Sequence, residues 1–269
     1  MNRTRGASAA RCREKGSSAK TRWERAAAIA AVLLVWQLGA MAIGRTGAGI
    51  LVAAPLTVIK RLAVLVTERD FLASVGFSLG RIALGFLLGL VGGGLLAAAA
   101  AHWHAVEVLL RPLITVIKSV PVASFIIIVL IWFGARSLSV IISLLMVLPI
   151  VYTNVLEGIR SADPALLEMA EVFRLGPMRR LRFIRLPALR PYLTSACSAG
   201  VGLAWKSGVA AEVIGIPSGS VGEKLYEAKV YLSSGDLFAW TLVIVVLSVL
   251  LEKLVLALLK LAYGRITRP

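Results

Sequence analysis

The sequence predicts an all-α, polytopic membrane protein with about six transmembrane helices. Three observations lead to this prediction: 58% of the 269 residues are hydrophobic, the mean hydropathy is +0.85, and long uncharged runs recur along the chain. A soluble domain is usually nearer half apolar, whereas a helix needs about 20 apolar residues to cross the hydrocarbon core of a bilayer. We therefore expect helices packed on helices within lipid.

The predicted elements follow in chain order. Residues 1–25 are basic and polar, which is typical of a disordered arm, and residues 26–265 form the predicted transmembrane domain. Apolar residues at helical spacing in the segment 45–75 predict a short amphipathic helix at the outer interface. The predicted spans are 26–44, 77–101, 109–133, 138–158, 188–214 and 237–262, and the polar outer segment 215–235 has room for one more short helix.

Glycines and prolines refine these helices. Gly85, Gly89 and Gly93 recur every four residues in the second span, a spacing that lets two helix backbones approach closely in lipid. Pro121 lies inside the third span and predicts a kink, because proline removes one backbone hydrogen bond. The residues GARS at 134–137 predict a tight outer turn.

Basic charge is concentrated in three segments and predicts the orientation. Residues 1–25 carry eight Lys/Arg against two acids, residues 159–190 seven against three, and residues 260–269 three against none, within a net charge of +16. Six spans place both termini on one side, and the positive-inside rule makes that side cytoplasmic. With no folded basic domain in view, we expect no nucleic-acid partner. Two cysteines make no metal site, and His102 and His104, with Trp103 between them, are more typical of solvated turn residues than of a metal-binding pair.

The charged insert at 159–187 separates the fourth and fifth spans. Asp163 followed by Pro164 is typical of a helix start. The predicted apolar stripe of this helix consists of Leu166, Met169, Ala170 and Phe173. Gly176-Pro177 is the predicted end of the helix. A basic stretch follows, and Pro187 and Pro191 are expected to begin the next span.

Such a helix has three possible uses. It can lie on anionic lipid headgroups, act as a tether, or place its apolar stripe in a groove on another protein. Glu168 and Glu171 favour a protein partner, because acidic residues weaken contact with anionic lipid.

The insert resembles the cytoplasmic loop of permease subunits in bacterial ATP-binding cassette (ABC) importers. The family pattern is Glu-Ala-Ala, three residues, Gly, nine residues and Ile-x-Leu-Pro. It is matched by EMA at 168–170 and IRLP at 184–187, although Arg174 occupies the glycine position and Gly176 comes two residues later. The flanking segments 120–134, 148–168 and 210–215 are most similar to the nitrate/sulfonate/taurine branch, and the resemblance covers about residues 50–265.

This resemblance implies a type I importer permease in the bacterial inner membrane. The loop would be a coupling helix that docks on cytoplasmic ATPase subunits, which hold ATP and Mg²⁺. A second permease chain, in a homodimer, and an extracytoplasmic substrate-binding protein would complete the assembly. The chain itself contains no Walker loop, so we expect neither a bound cofactor nor catalysis from it. The coupling residues implied are Asp163, Leu166, Glu168, Met169, Ala170, Phe173, Gly176 and Pro187.

The fifth span supplies candidates for the translocation path. Small residues recur there every four positions, which predicts either close helix packing or the lining of a narrow path. Charges inside a membrane span are functional candidates, although they can instead pair with neighbours or, near a boundary, reach out to the interface. The candidates are Lys118, Ser124, Gly200, Ala204, Lys206, Gly208 and Glu212.

Two other classes of protein stay open as alternatives. An intramembrane enzyme would need a nucleophile with its base or a zinc-ligand cluster. The pair His102 and His104 is instead more typical of a solvated turn. A secondary transporter often carries inverted repeats. Co-purification with an ATPase would separate both alternatives from an importer subunit.

Overall fold

The computed structural model describes residues 23–24, 27–28, 30–43 and 52–266. Within these residues helices are the only regular secondary structure, which confirms the all-α class. Apart from residues 23–24, the predicted arm 1–25 lies outside the described residues. The helices are α1 (Ala30–Ile43), α2 (Pro55–Leu65), α3 (Arg69–His102), α4 (His104–Ser119), α5 (Val122–Arg160), α6 (Pro164–Val172), α7 (Pro177–Arg180), a π turn (Leu181–Arg185), α8 (Leu186–Gly215), α9 (Val221–Val230) and α10 (Ser234–Ile266).

The chain forms two compact units. The first comprises Met1–Leu65 and Ala228–Ala239, and the second comprises Val66–Glu227 and Trp240–Pro269. In the first unit, Arg61 on α2 forms an ion pair with Asp236 at the start of α10. The ring centroids of Trp36 and Phe238 lie 5.7 Å apart in the same unit. The predicted amphipathic helix is confirmed as α2, and the predicted short helix after the fifth span is confirmed as α9.

Three of the described helices are long and apolar enough to cross a membrane: α3, α5 and α10. At 30 residues, α8 is about 45 Å long, but it carries Lys206 and Glu212 in its second half. The membrane-spanning character of the chain is therefore confirmed, whereas the count of six spans stays a prediction.

The predicted third span, 109–133, is wrong as a single kinked helix. Instead α4 ends at Ser119, Val120 and Pro121 are extended, and a new helix begins at Val122. Pro121 has no backbone N–H to donate, and it restricts the preceding Val120 to extended conformations. Both effects end α4. Gly134, with φ 71° and ψ 173°, then divides α5 into two helical parts, 122–133 and 135–160, at the predicted turn.

The glycine stripe of α3 packs against α5 in the same chain. A Cβ built on Gly85 would lie 2.4 Å from the Val140 carbonyl oxygen, and one on Gly89 would lie 2.8 Å from the Val147 Cβ. Gly93 approaches the Leu148 carbonyl oxygen in the same way, at 2.8 Å. The predicted close approach of two backbones is thus confirmed, and the partner helix is identified.

The core of the second unit lies where α3, α5 and α8 meet. Trp205 on α8 is fully buried there and donates an Nε1–H hydrogen bond of 2.9 Å to the Ile244 carbonyl oxygen on α10. Because the indole N–H has a partner, a large side chain is buried with no polar group left over. This bond fixes α10 against α8 at mid-helix.

Candidate functional site

The insert begins with the predicted capped helix. The Asp163 carboxylate accepts a 2.9 Å hydrogen bond from the Ala165 backbone N–H, and Pro164 occupies the first helical turn. The cap satisfies one of the amides that have no partner inside the helix. The Asp163-Pro164 sequence therefore defines where α6 begins.

The end of α6 differs from the prediction. The helix ends at Val172, and Arg174 adopts a left-handed conformation with φ 49°. The Leu175 N–H then donates a 2.9 Å bond to the Ala170 carbonyl oxygen, which is the six-to-one bond of a Schellman motif. Gly176 is extended, with φ −62°, and only begins the next helix, so the predicted helix end at Gly176 is wrong.

Arg174 thus occupies the one position of this turn where glycine is favoured. A left-handed conformation brings Cβ close to a carbonyl oxygen and costs a non-glycine residue roughly 1 kcal/mol or more. The resemblance pattern has glycine at this position. The turn is therefore formed here with a residue that strains it.

The inner face of α6 is anchored to the rest of the insert. Ala170 is fully buried and packs in one cluster with Ala162 and Ile184, against which Leu167 and Leu175 lie. Ile184 belongs to the π turn, so the cluster joins α6 to the segment that enters α8. Alanine is needed at position 170, because a larger side chain would separate α6 from the π turn.

The outer face of α6 is apolar and exposed. Val172 is 79% exposed and Phe173 is 71% exposed. Leu166, Met169 and Met178 are exposed as well. The predicted single stripe is therefore divided, because Ala170 is buried against its own chain while the other members are exposed. Exposed apolar residues of this kind are candidates for an interaction surface.

Charges on α6 also divide into two roles. Glu171 accepts a 3.3 Å bond from Arg180, whose Nε–H also donates to the Leu175 carbonyl oxygen at 2.9 Å. Glu168 is exposed, and within the described part of the chain it makes no ion pair. One carboxylate therefore holds the insert together, while the other is available to a partner.

The basic stretch after Gly176 is helical, and this corrects a second expectation. Helix α7, the π turn and α8 follow without a gap; Pro187 lies in the first turn of α8, as predicted, whereas Pro191 lies inside that helix. The Leu186 N–H bonds to the Leu181 carbonyl oxygen, five residues back. This wider turn accommodates Pro187, whose ring clashes with the carbonyl four residues earlier in a regular α-helix.

The small residues of α8 lie in helix packing. Ala204 is fully buried, and its carbonyl oxygen accepts a 3.1 Å bond from Ser143 of α5. A Cβ on Gly208 would lie 2.6 Å from the Ile82 Cγ1, and Gly200 is buried near Phe86. Close packing, one of the two alternatives for this stripe, is observed at Gly200, Ala204 and Gly208, and their role in lining a path stays a prediction.

Glu212 joins three helices, and its role in a translocation path stays a prediction. It is fully buried, and its Oε2 accepts a 2.6 Å bond from the Ser78 hydroxyl of α3 and a 3.4 Å bond from the Gly222 N–H at the start of α9. The Val221 N–H donates to the Ser78 oxygen at 2.9 Å. These four residues, which we call the Glu212 clasp, satisfy the first amides of α9. Ser78 was not predicted, because a lone serine in a span carries no signal.

The remaining path candidates are exposed in the single chain. Lys118, at the end of α4, places its Nζ 3.5 Å from the Thr153 hydroxyl of α5. Ser124 and Lys206 are also exposed. These three residues are the ones that could face an aqueous path, and that role stays a prediction.

The fold and this insert define a helical membrane protein that carries an anchored, outward-facing helix between two long helices. Residues 89–268 match the family described as binding-protein-dependent transport system inner membrane component. The match covers more than half of the chain, and the chain belongs to this family. It is accordingly a transport subunit of the inner membrane.

Curated relatives extend the match over most of the chain. The aliphatic sulfonates transport permease protein SsuC of Bacillus subtilis (strain 168) is 27% identical over 90% of this chain and 88% of its own length. The taurine transport system permease protein TauC of Escherichia coli (strain K12) is 26% identical over 74% of each chain. These similarities confirm the predicted branch of the family.

A solved structure supports the fold. The crystal structure of an amino acid ABC transporter with histidines aligns with a TM-score of 0.57 at 18% identity, over 76% of this chain and 97% of that chain. Identity at this level carries the fold and no more. The permease fold is thereby confirmed.

Proposed function

We propose that this chain forms the translocation path of an ATP-driven importer and receives its driving force through residues 163–187. The observation that carries the proposal is the division of α6 into two faces. Ala170 is buried against Ile184, while Val172 and Phe173 are exposed to solvent. A helix held firmly on one side and apolar on the other suits a groove on a second protein.

The proposed partner of this face is a cytoplasmic ATPase subunit, which holds ATP and Mg²⁺ and supplies the hydrolysis. Residues of the outer face fill its groove, and Glu168 reaches a cation or hydrogen-bond donor at the rim. Both termini of the permease lie on this cytoplasmic side. Glu171 and Arg180 act within the insert and keep α6 and α7 together.

The proposed substrate is a small organic sulfonate, either an aliphatic sulfonate anion or the zwitterion taurine, delivered by an extracytoplasmic binding protein. Two permease chains enclose the path, and the exposed Lys118, Ser124 and Lys206 lie on it. The names of the relatives and the two cations support this choice of substrate class.

Glu168→Arg tests the coupling role. The full assembly, with its ATPase and binding protein, is reconstituted in proteoliposomes, and substrate uptake and substrate-stimulated ATP hydrolysis are measured. We expect uptake to be abolished with membrane insertion intact, because the new cation opposes the complementary charge on the partner. Glu227→Arg on α9 is the control, since it makes the same charge change outside the insert and removes the partly buried pair with Lys224.

Unchanged uptake by the Glu168→Arg variant, with the ATPase still co-purifying, would contradict the docking role of α6. Uptake that continues without any ATPase would favour a secondary transporter instead. Loss of uptake in the Glu227→Arg control would show that uptake responds to the change in net charge and not to the change in the insert.

A further inference from the structure

A cavity of about 860 Å³ lies between the first turns of α8 and the last turns of α10. Arg190 on α8 and Lys253 and Lys260 on α10 contribute to its lining, and no Asp or Glu is among the described residues that line it. Lys253 and Lys260 are seven residues apart, so they lie on the same face of α10, two turns from each other. The cavity is therefore cationic along one side.

The position of Arg190 is fixed by an aromatic neighbour. Its guanidinium carbon lies 5.9 Å from the centre of the Tyr263 ring, which is on the opposite wall of the cavity. This contact directs the cation of α8 toward α10. Glu252, which accepts a 2.5 Å bond from the lining residue Ser198, is an acidic neighbour of the cavity.

The rest of the lining is mainly apolar. Pro191, Leu256 and Leu259 form this part of the wall. Arg190 lies five residues after the π turn, and Lys260 lies six residues before the end of α10, so these two cations lie near the ends of their helices. A cavity that joins cations at a helix end to an apolar wall fits a molecule that is itself amphiphilic.

We propose that this cavity binds an anionic phospholipid. The phosphate group lies among Arg190, Lys253 and Lys260, and the apolar part of the lipid contacts Leu256 and Leu259. Basic pockets between transmembrane helices recognise anionic headgroups in this way, and charge-assisted bonds to phosphate oxygens are stronger than neutral ones. The proposal does not depend on the coupling role of α6.

Lipid binding to the purified full chain provides the test. Delipidated protein is titrated with phosphatidylglycerol or with phosphatidylcholine, and bound lipid is counted by native mass spectrometry. We expect phosphatidylglycerol to bind more tightly. The variant with Lys253→Gln and Lys260→Gln loses about fivefold in affinity for each lysine, because one cation near an anionic headgroup is worth about 1 kcal/mol.

Two further variants make the result specific. Ala257→Phe fills the cavity without changing any charge and should lower phosphatidylglycerol binding, which decides the question even if the double lysine variant fails to fold. Lys60→Gln with Lys229→Gln removes the same charge elsewhere and should leave binding unchanged.

Several outcomes would overturn the proposal. They are equal binding of the two lipids, wild-type binding by the Ala257→Phe variant, and an equal loss in the Lys60 and Lys229 control. Displacement of the lipid by excess inorganic phosphate would indicate a site for a free anion. Exclusion of lipid when two copies of the chain associate would assign the cavity to a protein interface.

Discussion

The turn at Arg174 allows two substitutions, two residues apart, to be predicted from backbone conformation alone. Arg174 has φ 49°, whereas Gly176 has φ −62°. Removing Cβ should therefore help at position 174, and adding Cβ should help at position 176. A Cβ on Gly176 meets no atom within 4 Å, so sterics do not oppose the second change.

The magnitude follows from the cost of the left-handed conformation. Arg174→Ala keeps Cβ and its strain, while Arg174→Gly removes both, so the two variants should differ by about 1 kcal/mol in favour of glycine. This difference corresponds to about fivefold in the equilibrium between the closed and the open turn. Gly176→Ala should stabilise the turn by about 0.4–1 kcal/mol, because alanine reduces the freedom of the unfolded chain.

Hydrogen exchange at the Leu175 amide measures this equilibrium directly. That amide is bonded to the Ala170 carbonyl oxygen only when the turn is closed. In lipid nanodiscs, and after correction for intrinsic rates, exchange should be about fivefold slower in Arg174→Gly than in Arg174→Ala. Equal protection in these two variants would refute the reasoning, since position 174 would then not need a positive φ.

Two further predictions concern the second unit. Gly222→Ala should lower the melting temperature by several degrees and disrupt the Glu212 clasp, because the new Cβ would lie 2.3 Å from the Glu212 Cβ. Gly94→Ala is the control and should be neutral or stabilising, because a Cβ there meets nothing within 4 Å. Equal melting temperatures of the two variants would contradict the close contact at Gly222. The hydrogen bond from Arg160 lowers the pKa of Glu107 below its ordinary value of 4.5. The stabilisation of the folded state by this bond is therefore present above pH 4.5 and is lost as the pH falls below that value. The melting difference between wild type and Glu107→Gln should accordingly be present at neutral pH and vanish in acid, and a difference that persists in acid would assign it to packing.

Rules that depend on neighbouring residues predicted the insert well at its start and poorly at its end. Asp163-Pro164 carries an unambiguous capping signal, and the structure confirms it. At the other end, the rule that positive φ needs glycine selects Gly176, but the six-to-one bond closes at Leu175 and places Arg174 in the left-handed region. Residue type alone could not locate the left-handed residue of the turn, because its position depends on where α6 ends, and α6 ends at Val172.

Long-range contacts account for what the sequence pattern left open. The spacing of apolar residues predicted that α6 has an apolar face, but not that Ala170 would be covered by its own chain. Its partner Ile184 lies fourteen positions later, in a stretch where prolines and arginines gave no sign of a continuous helix. Likewise, the charge at Glu212 in a predicted span suggested a path, but its hydrogen-bond partners Ser78 and Gly222 could not be predicted from the sequence.

The connection between the insert and the membrane region follows from this continuity. Ala170 and Ile184 join α6 to the π turn, and the π turn passes directly into α8, which is about 45 Å long. Near the far end of α8, the Glu212 clasp joins the start of α9 and Ser78, in the first third of α3, by hydrogen bonds. Residues 173–176 between α6 and α7 are not helical, so α6 reaches α8 through the packing of Ala170 on Ile184 and not through a continuous helix. These contacts form a continuous packed connection from α6 through α8 to α9 and α3.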